Sequence, residues 1–172
     1  GLLEKWLPEN TLADRRGWEW AYLRSLLNQE IGTLQGHGGP VLAVDWNGDG
    51  SKLASASEDK TVRIWSPEGR VLHSLVGHQR RVVSLDWSPA GPLLASASHD
   101  GTVRVWDGDR GETVAEMRLA GPADAVCWRS TGEQLATLSF EKIDAERSSS
   151  FVAIWSAGDW KRKMVLGPLD GR

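Results

Sequence analysis

The sequence predicts an all-β chain of three consecutive sheets, each made of four short antiparallel strands. Three observations lead there. Trp46, Trp87 and Trp128 stand 41 residues apart, and Trp65 and Trp106 repeat that step. The same step carries Gly50 to Gly91 to Gly132, Leu53 to Leu94 to Leu135, His37 to His78 and Asp59 to Asp100, so the chain contains an internal repeat. Within each copy, short runs of Val, Leu, Ile and Trp alternate with turn clusters, the pattern of consecutive antiparallel strands.

The first copy divides into strands near 41–46, 52–57, 61–65 and 71–76. NGDG joins the first two, where glycine can take positive φ in a tight turn, and SPAG and STG stand there in the later copies. Leu42, Ala43 and Val44 are adjacent and apolar, as expected when neighbouring sheets cover both faces. LAVDWNGDGSKLASASEDKTVRIWS (42–66) returns as VSLDWSPAGPLLASASHDGTVRVWD (83–107) and, more loosely, as DAVCWRSTGEQLATLSF (124–140) closing in FVAIWS (151–156). Trp155 follows Trp106 by 49 residues, so the third copy holds eight extra residues, placed in FEKIDAERSSS. The charged, serine-rich stretch Glu141–Ser150 reads as a mobile loop. KRKMVLGP (161–168) reads as a fourth strand, with Gly167 opening a further repeat. EIGTLQGH (30–37) parallels VLHSLVGH (71–78) and predicts an outer strand at 30–35 without the three strands it should pair with.

Residues 1–29 differ in composition. Trp20, Leu23 and Leu27 at i, i+3 and i+7 predict an amphipathic helix, with Arg15, Arg16 and Arg24 toward its polar side. The expected organisation is a helical lead-in over 1–29 and three repeats over 30–172, at about 30–76, 77–118 and 119–168.

A period near 41, Gly36-His37 and Gly77-His78 ahead of the first strands, and Trp65-Ser66 and Trp106-Asp107 closing the third strands resemble the WD40-repeat β-propeller family. DRRGWEWAYL further resembles the lead-in of bacterial multi-repeat members, some of which carry a protein kinase domain upstream; no Gly-rich phosphate loop, HRD or DFG accompanies it here. The resemblance implies a partial β-propeller of three four-stranded WD40-type blades with a short N-terminal helical lead-in. It also implies a buried hydrogen-bond chain in each of two blades: His37, Ser55, Asp59 and Trp65, then His78, Ser96, Asp100 and Trp106. Ser57 and Ser98 compete for the hydroxyl role. The third copy lacks the Gly-His and has Ser149 where the Asp would stand. Family members display the loops before the first strand and after the second on one rim. Here that rim would hold Glu58, Lys60, Gln79, Arg80, Arg81 and His99 as the partner-binding surface, beside Gly38, Gly39 and Glu141–Ser150.

The chemistry of these side chains favours a structural chain, since indole N–H only donates, carboxylate only accepts, and imidazole and hydroxyl do both. A Ser, His and Asp together can also suggest a hydrolase. This set occurs twice with an integrated Trp donor, however, and one catalytic site would not need repeating. His73, His78 and His99 lack ligand-type spacing, so no catalytic residue, cofactor or metal is expected. Asp45, Asp86 and Cys127 share the position before the first-strand Trp. They form either an inward site where carboxylates meet backbone N–H groups and a thiol packs, or a channel-facing functional ring.

The net charge of −3 sets nucleic acid aside as the default partner, and a single cysteine, Cys127, excludes an internal disulfide. No apolar run approaches the roughly 20 residues of a membrane span. The expected protein is a cytoplasmic, non-enzymatic protein–protein interaction scaffold that binds a protein or peptide. Two other readings compete: an assembly element that completes a ring with other blades or a second copy, and a regulatory or sensor part of a longer kinase-linked chain. Three blades leave the outward faces of the first and third open, so self-association is expected, a two-copy ring of six blades being the simplest closed product.

Overall fold

The computed structural model of the chain describes residues 33–142 and 148–169, and all regular structure in them is β-strand. The first sheet contains β1 (Val41–Trp46), β2 (Leu53–Ser57), β3 (Thr61–Trp65) and β4 (Val71–Val76). The second contains β5 (Val82–Trp87), β6 (Leu93–Ser98), β7 (Thr102–Asp107) and β8 (Glu112–Arg118). The third contains β9 (Ala123–Trp128), β10 (Gln134–Lys142), β11 (Ser148–Ser156) and β12 (Arg162–Leu169). Every sheet is four-stranded with neighbours in chain order, the architecture of a partial WD40-type β-propeller.

Local chemistry sets the hairpins. In the β1–β2 turn, Asn47 Oδ1 accepts the Lys52 N–H at 2.8 Å and Asp49 Oδ1 accepts the Ser51 N–H at 2.8 Å. Gly50 in that turn and Gly132 in the β9–β10 turn occupy the left-handed region, with φ of 72° and 73°.

Two apolar cores separate the three sheets. Ala54, Ala56, Val62, Ile64 and Leu75 of the first sheet share one core with Val82, Leu85 and Trp87 of the second. Ala95, Ala97, Val103, Val105 and Met117 of the second share the other with Ala123, Val126 and Trp128 of the third. Small alanines on β2 and β6 leave room for the bulky Trp of the next sheet, so volumes alternate across each joint as close packing requires. The first strands converge, β1 lying against β5 and β5 against β9.

Two expectations need correction. Glu141–Ser150 is not simply a loop: β10 and β11 pair through it, Phe140 with Ser150, Glu141 with Ser149 and Lys142 with Ser148. The extra residues lengthen both arms in register, so their backbone groups find ladder partners; residues 143–147 lie outside the described residues. The longer β11 in turn gives β12 a longer edge. That strand, expected over 161–168, runs Arg162–Leu169, with Leu169 paired to Ser150 across an irregularity. Residues 33–35, the described part of the expected outer strand, are likewise not strand, and no described strand pairs with them. The expected helical lead-in over 1–29 lies outside the described residues.

Candidate interaction rim and the hydrogen-bond chains behind it

Behind the rim, each of the first two sheets carries a polar chain. Trp106 Nε1 donates to Ser96 Oγ at 2.8 Å, Ser96 Oγ lies 2.8 Å from His78 Nε2, and His78 Nδ1 lies 3.0 Å from Asp100 Oδ2. In the first sheet the corresponding distances are 2.8 Å for Trp65 to Ser55, 2.7 Å for Ser55 to His37 and 2.9 Å for His37 to Asp59. The carboxylate accepts from several donors at once. Asp100 also receives the Gln79 N–H at 2.7 Å, the Thr102 N–H at 2.8 Å and the Thr102 hydroxyl at 2.6 Å. Thr61 and the Gly38 N–H serve Asp59 in the same way, at 2.6 Å from the Thr61 hydroxyl and 2.8 Å from the amide. Thr61 and Thr102 were absent from the sequence reading, although they stand one period apart.

Between the competing hydroxyls the geometry is unambiguous. Ser55 and Ser96 bridge Trp and His, whereas Ser98 Oγ donates toward the Arg80 and Arg81 carbonyls, 3.1 and 2.9 Å away, and Ser57 Oγ toward Gly39 O at 3.1 Å. Those second serines tie the rim loops to the ends of β2 and β6. In the third sheet Trp155 Nε1 donates to Thr137 Oγ1 at 3.0 Å. Thr137 stands one period after Ser96, a signal the sequence held.

Burial pushes the Asp100 carboxyl up, but hydrogen bonds from Thr102 and Gln79, joined at acid pH by the charge of a protonated His78, outweigh it and hold the group at about 2. The same balance, with Thr61, His37 and Gly38 as donors, holds Asp59 well below the carboxylate range. Burial is the leading influence on His78 and moves it below its ordinary 6.5 despite Asp100. The His78 ring is therefore neutral near pH 7, with Nδ1–H donating to Asp100 and Nε2 accepting from the Ser96 hydroxyl.

Glu58, Lys60, Gln79, Arg80, Arg81 and His99 together line one shallow depression of ≈ 550 Å³. They come from the turns after β2 and β6 and from the loop before β5. Arg81 Nε donates to His99 Nδ1 at 3.1 Å, His99 Nε2 lies 2.6 Å from Asp124 Oδ1, and Arg81 Nη1 lies 3.9 Å from Glu58 Oε1. Asp124, on the third sheet, is a partner the sequence did not suggest. Lys60 holds φ of 74°, where the second copy has Gly101 at 82°.

His73 lies away from these residues, its Nε2 3.0 Å from Asp109 O. Among the described residues, no group of three or more His, Cys, Asp or Glu side chains is placed to hold a metal ion. None of their helices is long and apolar enough to cross a membrane.

Asp45 and Asp86 join successive sheets. Asp45 Oδ2 accepts the Trp87 N–H at 2.8 Å while Trp87 Nε1 donates to Asp45 O at 3.2 Å. Asp86 Oδ2 accepts the Trp128 N–H, and Trp128 Nε1 donates to Asp86 O at 3.1 Å. Each of these carboxylates therefore clamps the next sheet's tryptophan. Burial pushes the Asp86 carboxyl up, only partly opposed by the Trp128 N–H. Cys127, exposed, carries a thiol raised by burial and by Asp86.

Fold and clamps define the class, a run of WD40-type blades joined face to face. Residues 28–66 and 69–107 match the family described as "WD domain, G-beta repeat". The chain is 41% identical over 46 residues to WD repeat-containing protein slp1 of Schizosaccharomyces pombe, covering 27% of this chain and 9% of that protein. It is 60% identical over 37 residues to the Periodic tryptophan protein 2 homolog of the same yeast, 22% of this chain and 4% of that one. Over another 37-residue match it is 51% identical to the probable cytosolic iron-sulfur protein assembly protein Ciao1 of Drosophila mojavensis, 22% and 11% of the two chains. The matches thus span a small part of these relatives' lengths.

These relatives are fungal and insect proteins, which overturns the expected kinship with bacterial multi-repeat members. The family match also begins at residue 28, so nothing in it supports a DRRGWEWAYL lead-in motif. The physical reason is that Gly, His, Asp and Trp at these spacings answer to turn geometry and polar satisfaction, which are the same in any organism.

Proposed function

We propose that the chain is a non-enzymatic protein-interaction module whose rim, formed by Glu58, Lys60, Gln79, Arg80, Arg81 and His99, receives an acidic peptide segment of a partner protein. One observation carries the reading: these six side chains, from two neighbouring sheets, line a single depression with three cationic groups against one carboxylate. Lys60 adds weight, because a side chain is retained in a left-handed conformation that costs roughly 1–2 kcal/mol and that glycine fills in the second copy. The chains of His37, Ser55, Asp59 and Trp65 and of His78, Ser96, Asp100 and Trp106 are structural in this reading, holding the rim loops from behind. The same reading divides the chain into a lead-in over 1–29 and three blades over 30–172. It places the protein in the cytoplasm, where an unpaired cysteine stays reduced.

Panning a random-peptide display library against the full chain tests the proposal. Selected peptides are expected to be acidic and to lose at least ~10-fold in affinity on Arg80→Glu or Lys60→Glu, since each reversal removes one favourable charge contact and adds a repulsive one. Arg110→Glu, on the β7–β8 turn, is expected to leave them unchanged. Peptides indifferent to both rim reversals would remove the rim from the function. The assembly reading has its own observation, the exposed apolar face of the first sheet.

A further inference from the structure

We infer that His99 sets the charge of the rim: on protonation it releases the Arg81 side chain and adds its own charge, so the rim binds an acidic peptide more tightly at mildly acidic pH. The inference rests on the proposed function and names the regulation of that same site.

The geometry fixes which ring nitrogen carries the proton. Asp124 Oδ1 lies 2.6 Å from His99 Nε2, and a carboxylate only accepts, so the N–H stands at Nε2. In the neutral ring Nδ1 is then bare, and it accepts the Arg81 Nε–H at 3.1 Å. A second proton can enter only at Nδ1, where it meets the Arg81 donor. Two donors, both on cations, cannot share that contact. Asp124 keeps its hold on the ring through Nε2, so the guanidinium is the group that leaves. The Arg81 backbone stays, because its carbonyl accepts the His99 N–H at 3.1 Å and the Ser98 hydroxyl at 2.9 Å.

The surroundings decide the sign of the effect. Glu58 Oε1 stands 3.9 Å from Arg81 Nη1 with both side chains about half exposed, and a contact of that kind is too weak to hold the guanidinium against an incoming carboxylate. Lys60 and Arg80 add cations around the depression. Asp100, the next residue, is committed to His78, Gln79 and Thr102. Protonation therefore adds a fourth cation to the three that face Glu58 and frees Arg81, and histidine is the side chain whose charge changes near neutral pH. His99 and Arg81 stand where the first copy has Glu58 and Pro40, so folding a blade does not require them.

Two measurements on the full chain test it. Nitrogen NMR from about pH 8 to about 5.5 follows the Arg81 Nε–H and the His99 ring with no ligand present. The Arg81 signal is expected to shift with the His99 midpoint. It is expected to stop titrating in His99→Gln, whose amide can donate to Asp124 and accept from Arg81 but takes up no proton. His37, His73 and His78 remain in that variant, so their titration cancels in the comparison. The second measurement is the affinity for a hexaglutamate probe at about pH 7.5 and about 6, where its carboxylates stay ionised. Wild type is expected to tighten at least ~3-fold on acidification, the scale of one exposed charge contact. His99→Gln is expected to be flat, and the permanently cationic His99→Arg tight at both values. An Arg81 signal indifferent to His99, or the same pH response in wild type and His99→Gln, would overturn the inference while leaving the rim reading to stand wherever Arg80→Glu weakens the probe. Probe binding indifferent to Arg80→Glu would overturn the rim reading and this inference with it.

Discussion

A neutral imidazole fixed between a hydroxyl and a carboxylate makes His78 both a strut and a source of pH dependence. The Asp100 carboxyl is the more sheltered of the two aspartates, with its side chain 8% exposed against 15% for Asp59. Removing either acceptor strands a buried donor at a cost of roughly 1–3 kcal/mol. Asp100→Ala is expected to cost more than Asp59→Ala, and equal melting temperatures for the two variants and wild type would contradict the structural role. The pH dependence follows from the two shifts. Because the folded His78 lies below its ordinary 6.5, the unfolded chain takes up that proton first. Its contribution is complete above 6.5 and is lost as pH falls toward the folded value. Asp100 contributes fully above its ordinary 3.8 and loses that contribution as pH falls to about 2. Melting temperature is therefore expected to decline on acidification from pH 6.5, and to decline less between pH 6.5 and 4 in His78→Gln. At this scale His, Asp and Trp stood out by their repeated offsets, whereas Ser55 and Ser96 were assigned through the family resemblance and not by strand pattern. Ser55 and Ser57 are two residues apart on one strand and share a face, so strand periodicity cannot rank them.

The third sheet shows how one insertion reshapes an element. Lengthening the β10–β11 hairpin brings the Phe140 carbonyl so near Gly121 that a Cβ on that glycine would stand 1.7 Å from the oxygen. Arg80 occupies the equivalent position in the second sheet, where the following hairpin is short. Gly121→Ala must therefore move backbone, and roughly 1–3 kcal/mol of destabilisation is expected, a fall of about 2–4 °C in melting temperature per kcal/mol. Arg80→Ala is expected to leave stability within about 0.5 kcal/mol. A Gly121→Ala protein that melts like wild type would show that the hairpin can give way. Strand order and turn positions were readable from apolar runs and turn residues. The fate of the insertion was not, because its charged, serine-rich composition is equally compatible with a loop and with two solvent-facing ladder arms.

Across the unit from Leu34 to the third sheet, the joints between sheets matter more than any single sheet. Val41, Val44, Trp46 and Val76 of the first sheet and Met164, Val165 and Leu166 of the third remain exposed, and apolar surface of this kind favours association. A dye sensitive to apolar surface is expected to bind the folded chain, and Val44→Lys to reduce that binding by about half or more without altering the far-UV spectrum, since it places a charge in the centre of one face. Dye binding unaffected by Val44→Lys would place the exposed surface elsewhere. Whether the wild-type chain also self-associates is read by sedimentation velocity.

Period, turn chemistry and the spacing of His, Asp and Trp depend on residues close along the chain or one repeat apart. They therefore established the sheets and their strand order directly, while the family resemblance they carry implied the membership of the polar chains. The meaning of Asp45, Asp86 and Cys127 could not be obtained that way. Their position allowed either a functional ring or an inward packing site, and only the approach of one sheet to the next showed carboxylates accepting the tryptophan N–H groups across each joint. The same holds for the His99–Asp124 contact and for the pressure of Phe140 on Gly121. A contact between sheets is set by how whole faces stack, and stacking depends on volumes and backbone paths summed over many residues, which no local pattern encodes.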